Sequence, residues 1–463
     1  MARVESGRSL ALDALRGLAI VGMFVSGQIP WDGLPAWMYH AQEPPPTHAH
    51  NPNLPGITWV DLVFPFFLFA MGAAIPLAQT RRLAAGRSVP AAVGEAFWRG
   101  LLLAAFAIYV QHVRPHTLQA APDRSTWLQA LAAFGLGFPM FLRLPERWPW
   151  WVRGAVRAAG WGGAAALLSG RTFADGTGFS LGRSDPILLV LANCAAFGGA
   201  VWILTRGSPA WRWGLLAALV AFRVSAEVPG TWIRQAWEWD AVGWLFRPYL
   251  LGYLGIVLPG TLVGDLLRQP PTTEDASEPP RLWRRLAALL CWAPVVPALV
   301  GLHGRDQAVA WLSVVPGVLL AWAWRRDRSQ EVFVAAIGFG LLAVGLLFAP
   351  FQGGIKKDPP TISYWLVGGG LAACALAGLQ VWERAGAGPI VRSLASVGMN
   401  PMLAYLAITN LVVPLWRLTV HPWFNDWEAA YGVGFGLFRT GLQTVLFVAL
   451  VGVASMRRWW WRA

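Results

Sequence analysis

Long apolar runs, separated by short polar stretches rich in arginine, set the pattern of this chain. A run of roughly 16 to 26 apolar residues is about long enough to cross a bilayer as a helix. By that measure about fourteen candidates follow one another at 11–27, 57–79, 97–113, 126–142, 151–169, 185–205, 211–226, 246–267, 285–302, 308–324, 331–350, 361–382, 391–416 and 433–456. Several are short or interrupted by Gly and Pro. The pattern predicts an all-α fold: a polytopic membrane protein with about 12 to 14 transmembrane helices, forming a single domain over 1–463. No internal repeat is visible. The segment RQPPTTEDASEPPRLWRR, 268–285, is Pro-rich and mixed in charge, and reads as a linker between two helical halves.

Composition narrows the class. With 56% hydrophobic and 13% charged residues and a mean hydropathy of +0.47, the chain is too apolar for an ordinary soluble protein. A formal charge of +13 would suggest a nucleic-acid partner in a soluble domain. Here the arginines gather between apolar runs, at Arg81, Arg82 and Arg87, at Arg281, Arg284 and Arg285, and at Arg325, Arg326 and Arg328. That is the signature of cytoplasmic loops, so the expected partner is the lipid bilayer and not nucleic acid. Residues 26–56 contain no Lys or Arg, which assigns that loop to the outside and the N-terminus to the cytoplasm. Asp13 and Arg16 interrupt the first apolar run, so the N-terminal stretch is expected to be a retained helix and not a cleaved signal. The terminal RRWWWRA is expected to anchor at the inner interface. Cys194, Cys291 and Cys374 lie far apart within apolar runs and read as inert core residues.

Candidate chemistry concentrates in the outer loops. All seven histidines fall in or beside them, and three, His40, His48 and His50, share the stretch before the second span. Each can act as a base near neutral pH, and Asp61, with Glu43 as a weaker candidate, could orient one of them. The spacing matches no established zinc pattern, so no metal is expected. Asp13 and Arg16 lie three apart on one helix face, able to pair or to present Arg16 to a cofactor phosphate. Lys356 and Lys357 are the only lysines among 37 basic residues, which suggests a need for a compact ammonium at a phosphate or carboxylate. Asn400, followed by Pro401 within an apolar run, predicts a local unwinding and an amide in need of a partner.

LDALRGLAIVGMF at 12–24 and PGITWVDLVFPFFLFAMGAAIP at 55–76, with GGIKKDPPTISY and VGMNPMLAY further on, resemble the heparan-alpha-glucosaminide N-acetyltransferase family and its bacterial relatives, a branch of the transmembrane acyltransferases. The resemblance implies a multi-helix enzyme that takes acetyl from cytoplasmic acetyl-CoA and passes it to an amino sugar or glycan acceptor on the far side of the membrane. It implies a catalytic histidine in a His-Ala dipeptide ahead of the Gly-Ile-Thr block. His40-Ala41 and His48-Ala49 both match, with His50 nearest the block; the aromatic WMYHA context ranks His40 first. Where the family has an asparagine at the end of the first span, this chain has Ser26, Gly27 and Gln28.

On that reading a histidine acts as general base, Asp61 fixes its tautomer, Asn400 donates to the developing oxyanion, and Lys356, Lys357 and Arg16 meet CoA phosphates or an acidic acceptor. An acetyl-histidine intermediate is the other route. The implied setting is the inner membrane of a bacterium, as a homodimer. The alternative from another class is a transporter or flippase of a sugar-linked or lipid-linked substrate, in which the same polar residues hold cargo without acyl chemistry.

Overall fold

The computed structural model describes residues 9–269, 281–324 and 329–462, with the side chains of 281–285, 322–324, 421–426, 428 and 429 left aside. The central part of the expected linker, 270–280, the arginine side chains at 281–285 and 325–328, and the His421 side chain therefore lie outside the described residues.

The described chain is helical, with no strand and one isolated bridge between Leu142 and Trp461. In order the principal helices are α1 Leu10–Ser26, α2 Trp59–Ala84, α3 Val89–Val113, α4 Arg124–Phe141, α5 Trp150–Leu168, α6 Pro186–Thr205 and α7 Pro209–Ser225. They continue with α8 Pro248–Arg268, α9 Leu286–Gly304, α10 Gln307–Ala321, α11 Gln330–Phe348, α12 Ile362–Arg384, α13 Pro389–Gly398, α14 Pro401–Thr419 and α15 His421–Met456.

Each predicted run coincides with a helix or a helix pair. Nine helices among the described residues are long and apolar enough to cross a membrane by length and composition, fewer than the expected 12 to 14. The five remaining runs are shorter or more polar. α1 and α7 have 17 residues each, about 26 Å at 1.5 Å per residue, short of a hydrocarbon core of about 30 Å. α5 carries Arg153 and Arg157, α4 opens on Arg-Ser-Thr, and α10 is a shorter apolar helix.

α12 is the post around which the bundle packs. Every residue from Ile362 to Val381 is buried. α11 lies along it through glycines: a Cβ at Gly370 would sit 2.6 Å from the Gly338 carbonyl oxygen, and one at Gly338 would sit 2.8 Å from that of Gly370. Dispersion between two backbones in contact replaces the side-chain interdigitation of a soluble bundle. α1 packs on α13 in the same way, with Gly17 against Leu394 and Gly398 against Asp13.

The run at 391–416 divides into α13 and α14 at Asn400 (φ −130°, ψ 60°), because the residue before a proline is turned away from the helical region. α15 bends at Gly432, whose φ of +61° is a left-handed conformation suited to glycine.

Two faces follow from this order. The loop 27–58 between α1 and α2 and the segment 349–361 before α12 lie at one end of the bundle, here the histidine face. The α2–α3 turn, the α4–α5 loop and the C-terminal segment lie at the other, the arginine face. α12 runs from one to the other, since Glu383 near its end accepts hydrogen bonds from the Leu10 and Ala11 amides that open α1.

Candidate functional site

Thr58 and Asp61 form a capping box at the start of α2, with the Asp61 side chain accepting from the Thr58 amide at 3.0 Å. That local device fixes a carboxylate at the join between loop and helix. The same Oδ2 accepts from the Ala41 amide at 3.1 Å, so the loop is tied to the helix one residue after His40. The Thr58 hydroxyl, with one proton to give, donates to the Tyr39 carbonyl at 2.6 Å and fastens the residue before it. His40 is thus held on both sides by its own backbone.

Its ring meets the other oxygen of the cap: Nδ1 lies 2.7 Å from Asp61 Oδ1. An ionised carboxylate only accepts hydrogen bonds, so Nδ1 carries the proton and the lone pair of the neutral ring is left on Nε2. The Asp61 side chain is 3% exposed and that of His40 33%, a buried anchor beneath a reachable base.

Lys357 completes the cluster, with Nζ 3.2 Å from His40 Nδ1 and 3.7 Å from Asp61 Oδ1. Because Nδ1 is already a donor, the ammonium's attraction is to the carboxylate that it shares with the His40 ring. The segment carrying Lys357 is itself clamped. The Gln42 side chain donates to the Asp358 carbonyl and accepts from the Asp358 amide at 2.9 Å, and the Gly56 amide donates to the Ile355 carbonyl at 2.8 Å. Thr361 caps α12, and the Tyr364 hydroxyl at its first turn donates to the Asp61 carbonyl at 2.9 Å.

The other predicted residues lie elsewhere. His48 is buried in an aromatic nest, its ring 4.4 Å from that of Trp31 and 4.5 Å from that of Tyr39, with Nδ1 3.2 Å from the Glu43 carbonyl oxygen. Burial raises the Tyr39 phenol, which stays protonated and donates to the Pro30 carbonyl at 2.8 Å. His50 is more exposed, 3.7 Å from a Glu43 carboxylate oxygen. The Lys356 amide donates to Thr361 Oγ1 in the loop that positions Lys357.

Arg16, six residues into α1, and Asn400, at the start of α14, sit toward the arginine face and away from the cluster. Arg16 donates to Asp13 and to the Gly398 carbonyl, both at 3.0 Å. The expected oxyanion role of Asn400 does not fit this placement. Its amide nitrogen donates to the Trp459 carbonyl at 2.7 Å and its oxygen accepts from the Trp461 amide at 3.1 Å, so both ends are occupied far from His40. The expected interfacial anchor RRWWWRA is likewise divided: Trp459 is exposed, but Trp461 is buried against Phe134, Phe138 and Phe141.

Gln42, Thr58 and Tyr364 were not singled out from sequence. The Thr-x-x-Asp spacing before an apolar run was a readable signal for Thr58. Nothing local marks Gln42 or Tyr364, whose partners are more than 300 residues away.

A family model described as a domain of unknown function (DUF5009) matches residues 8–267, more than half of the chain. The chain belongs to this family. The matched region of the DUF5009 chain runs from the start of α1 to the end of α8, and so holds His40, Asp61 and Arg16 but not Lys357 or Asn400. The chain is also 32% identical over 108 residues to heparan-alpha-glucosaminide N-acetyltransferase of Mus musculus. That similarity covers 23% of this chain and 14% of the mouse protein, a small part of the length of that relative.

Proposed function

We propose that this DUF5009 protein is a membrane acyltransferase that moves an acetyl group from acetyl-CoA to the amine or hydroxyl of a sugar or glycan, with His40 as general base. One observation carries the reading: a partly exposed imidazole with its Nδ1 on a buried carboxylate, which leaves Nε2 to take a proton. The partial similarity to a membrane N-acetyltransferase supports the reaction class.

In the proposed reaction the acceptor nitrogen or oxygen attacks the thioester carbonyl as His40 Nε2 removes its proton. The C–S bond breaks, and the same proton passes from the imidazolium to the departing thiolate. Asp61 orients the ring and balances the transient imidazolium; Lys357, beside both, is suited to hold an anionic or carbonyl oxygen near the base. Acetyl transfer first to His40 is a variant of the same proposal.

The arginine face would be cytoplasmic and the histidine face external, in a bacterial inner membrane, so the acetyl group crosses between them. The chain would act as one domain, with 268–285 as a linker, and as a homodimer.

The test is transfer from labelled acetyl-CoA by purified protein in nanodiscs across a panel of amino sugars and glycans. Wild type is expected to transfer, and His40→Ala to lose about 10²- to 10⁴-fold while His48→Ala and His50→Ala retain activity. Uptake of a sugar-linked substrate into vesicles that survives His40→Ala, with no acetyl-CoA consumed, would instead identify a transporter.

A further inference from the structure

The loop between α7 and α8, 226–247, lies at the histidine face but outside the histidine cluster. Glu227 accepts from the Gln352 side chain at 3.3 Å, and Gln352 accepts at 2.6 Å from the Ile362 amide that opens α12. Within the loop, the Thr231 side chain caps a short helix, Trp232–Trp237, by accepting from the Arg234 amide. The helical period turns Ile233 and Trp237 inward. Trp237 is buried against Phe222 and Tyr249, with the Arg223 guanidinium 5.5 Å from its ring centre. The other side of the helix and the irregular stretch after it leave Trp232, Trp239 and Trp244 exposed, Trp232 at 71%.

Exposed indoles at the end of a membrane bundle are ordinarily an interfacial belt. The charges among these point the other way. Arg234 Nε donates to Glu238 at 3.0 Å and Arg247 Nε lies 2.8 Å from Asp240, yet the two acidic side chains remain 58% and 52% exposed. Carboxylates so open to their surroundings are costly in hydrocarbon, so this surface stands in water. Large indoles left open to water form the kind of apolar patch that marks a binding site. Each acid of the loop has an arginine of its own, Glu227 being paired with Arg223, so the patch offers a ligand no unbalanced charge. What it offers is flat rings beside paired donors and acceptors.

We propose that this loop is a platform for a neutral glycan, whose sugar rings stack on Trp232 and Trp239 while their hydroxyls bond to the Arg234–Glu238 and Asp240–Arg247 pairs. A hydroxyl both donates and accepts, and a guanidinium beside a carboxylate answers both needs. The C–H face of a sugar ring is apolar and slightly positive, the complement of the negative face of an indole. A charged polymer would find no unpaired partner here, and a lipid chain would meet the acids. The platform's purpose, presenting an acceptor of several sugar units to His40, rests on the acyl-transfer reading; the binding itself uses no residue of the histidine cluster.

The test uses the full chain in phosphatidylcholine nanodiscs without acetyl donor, titrated calorimetrically with neutral pentasaccharides of β-1,4-linked glucose, N-acetylglucosamine and mannose, and with each monosaccharide. The variants are Trp232→Ala and Trp239→Ala, with Trp211→Ala, an exposed indole at the opposite end of α7, as the control. A pentasaccharide that binds about tenfold or more tighter than its monosaccharide, weakens by a similar factor in both loop variants and is unaffected in the control supports the platform. The second readout is tryptophan emission in nanodiscs whose lipid chains carry bromine, where the loop indoles are expected to contribute nothing to the quenched component. A quenched component that disappears with either indole places the loop in the bilayer and overturns the proposal. So does a wild type that binds no pentasaccharide, or folded loop variants, checked by thermal melting, that bind as wild type does. His40→Ala is expected to bind the pentasaccharide normally. Binding without acetyl transfer in wild type counts against acyl transfer and leaves the platform standing, whereas transfer to monosaccharides with no pentasaccharide bound overturns the platform alone.

Discussion

Asp61 does two jobs with two oxygens. Oδ2 closes the cap of α2 and ties down Ala41, while Oδ1 takes the His40 ring. Asp61→Asn keeps the size but turns one oxygen into a donor. If the amide faces His40, Nδ1 must accept, and the ring proton moves to Nε2, where a base needs a lone pair. If it faces the cap, two buried backbone amides lose an acceptor, at about 1–3 kcal/mol each. The expected outcome is a fall in kcat of about 10² or more in the first case and a lower melting temperature in the second, read by acetyl-transfer kinetics and thermal unfolding of the same sample. Lys357→Met is expected to keep the fold, since the side chain is 23% exposed, and to reduce activity; Lys357→Arg restores the charge with a different reach.

The histidine cluster was partly legible from sequence: three histidines, a nearby aspartate and two isolated lysines stood out by type and position. Sequence could not say which histidine meets Asp61. The choice depends on the path of the loop, and that path is set by hydrogen bonds to Tyr39, Ala41 and Gln42 that leave no mark in residue spacing.

Among the helices, the contacts that matter are made by glycine. A Cβ at Gly398 would lie 1.9 Å from the Asp13 carbonyl oxygen, and one at Gly17 1.8 Å from that of Leu394, both far inside van der Waals contact. Gly398→Ala is expected to push α13 off α1 and destabilise the protein by about 1–3 kcal/mol or more, measured as a loss of melting temperature in detergent. An alanine at Gly94, where nothing lies within 4 Å, is expected to leave stability unchanged or raised and serves as the comparison.

Asn400 belongs to this scale as well. The Asn-Pro break was visible as a break, because Pro401 lacks the amide that would continue the helix. Its partner was not, since the segment it grips begins some 59 residues later. Asn400→Ala is expected to free the 459–462 segment and expose Trp461, seen as faster amide exchange there and a tryptophan emission shift, with the His40–Asp61 geometry unaffected. Apolar length was enough to locate the helices, whereas the close approaches and the grip on the C-terminus depend on residues distant in sequence.

For the whole molecule, the two chemically distinctive regions lie at opposite ends of one buried helix. Composition made the membrane class and the all-helical fold legible, since so apolar a chain has little else to form. The number of full crossings was harder to read, because helices such as α1 and α7 look like spans in sequence but, with 17 residues each, fall short of the length of a full crossing. The separation of Lys357 from Arg16 and Asn400, which the sequence reading grouped as cofactor-binding residues, emerges only from the fold.

α12 is gripped on all sides from Ile362 to Val381, with glycine backbone of α11 against its own. A rod clamped along its length can act as neither piston nor shutter. Room lies at the periphery, where α15 is largely exposed along its flank and bends at Gly432. The His40–Asp61 pair is joined to that clamped helix through the Tyr364 hydroxyl, so a shift of the outer helices would leave its geometry in place.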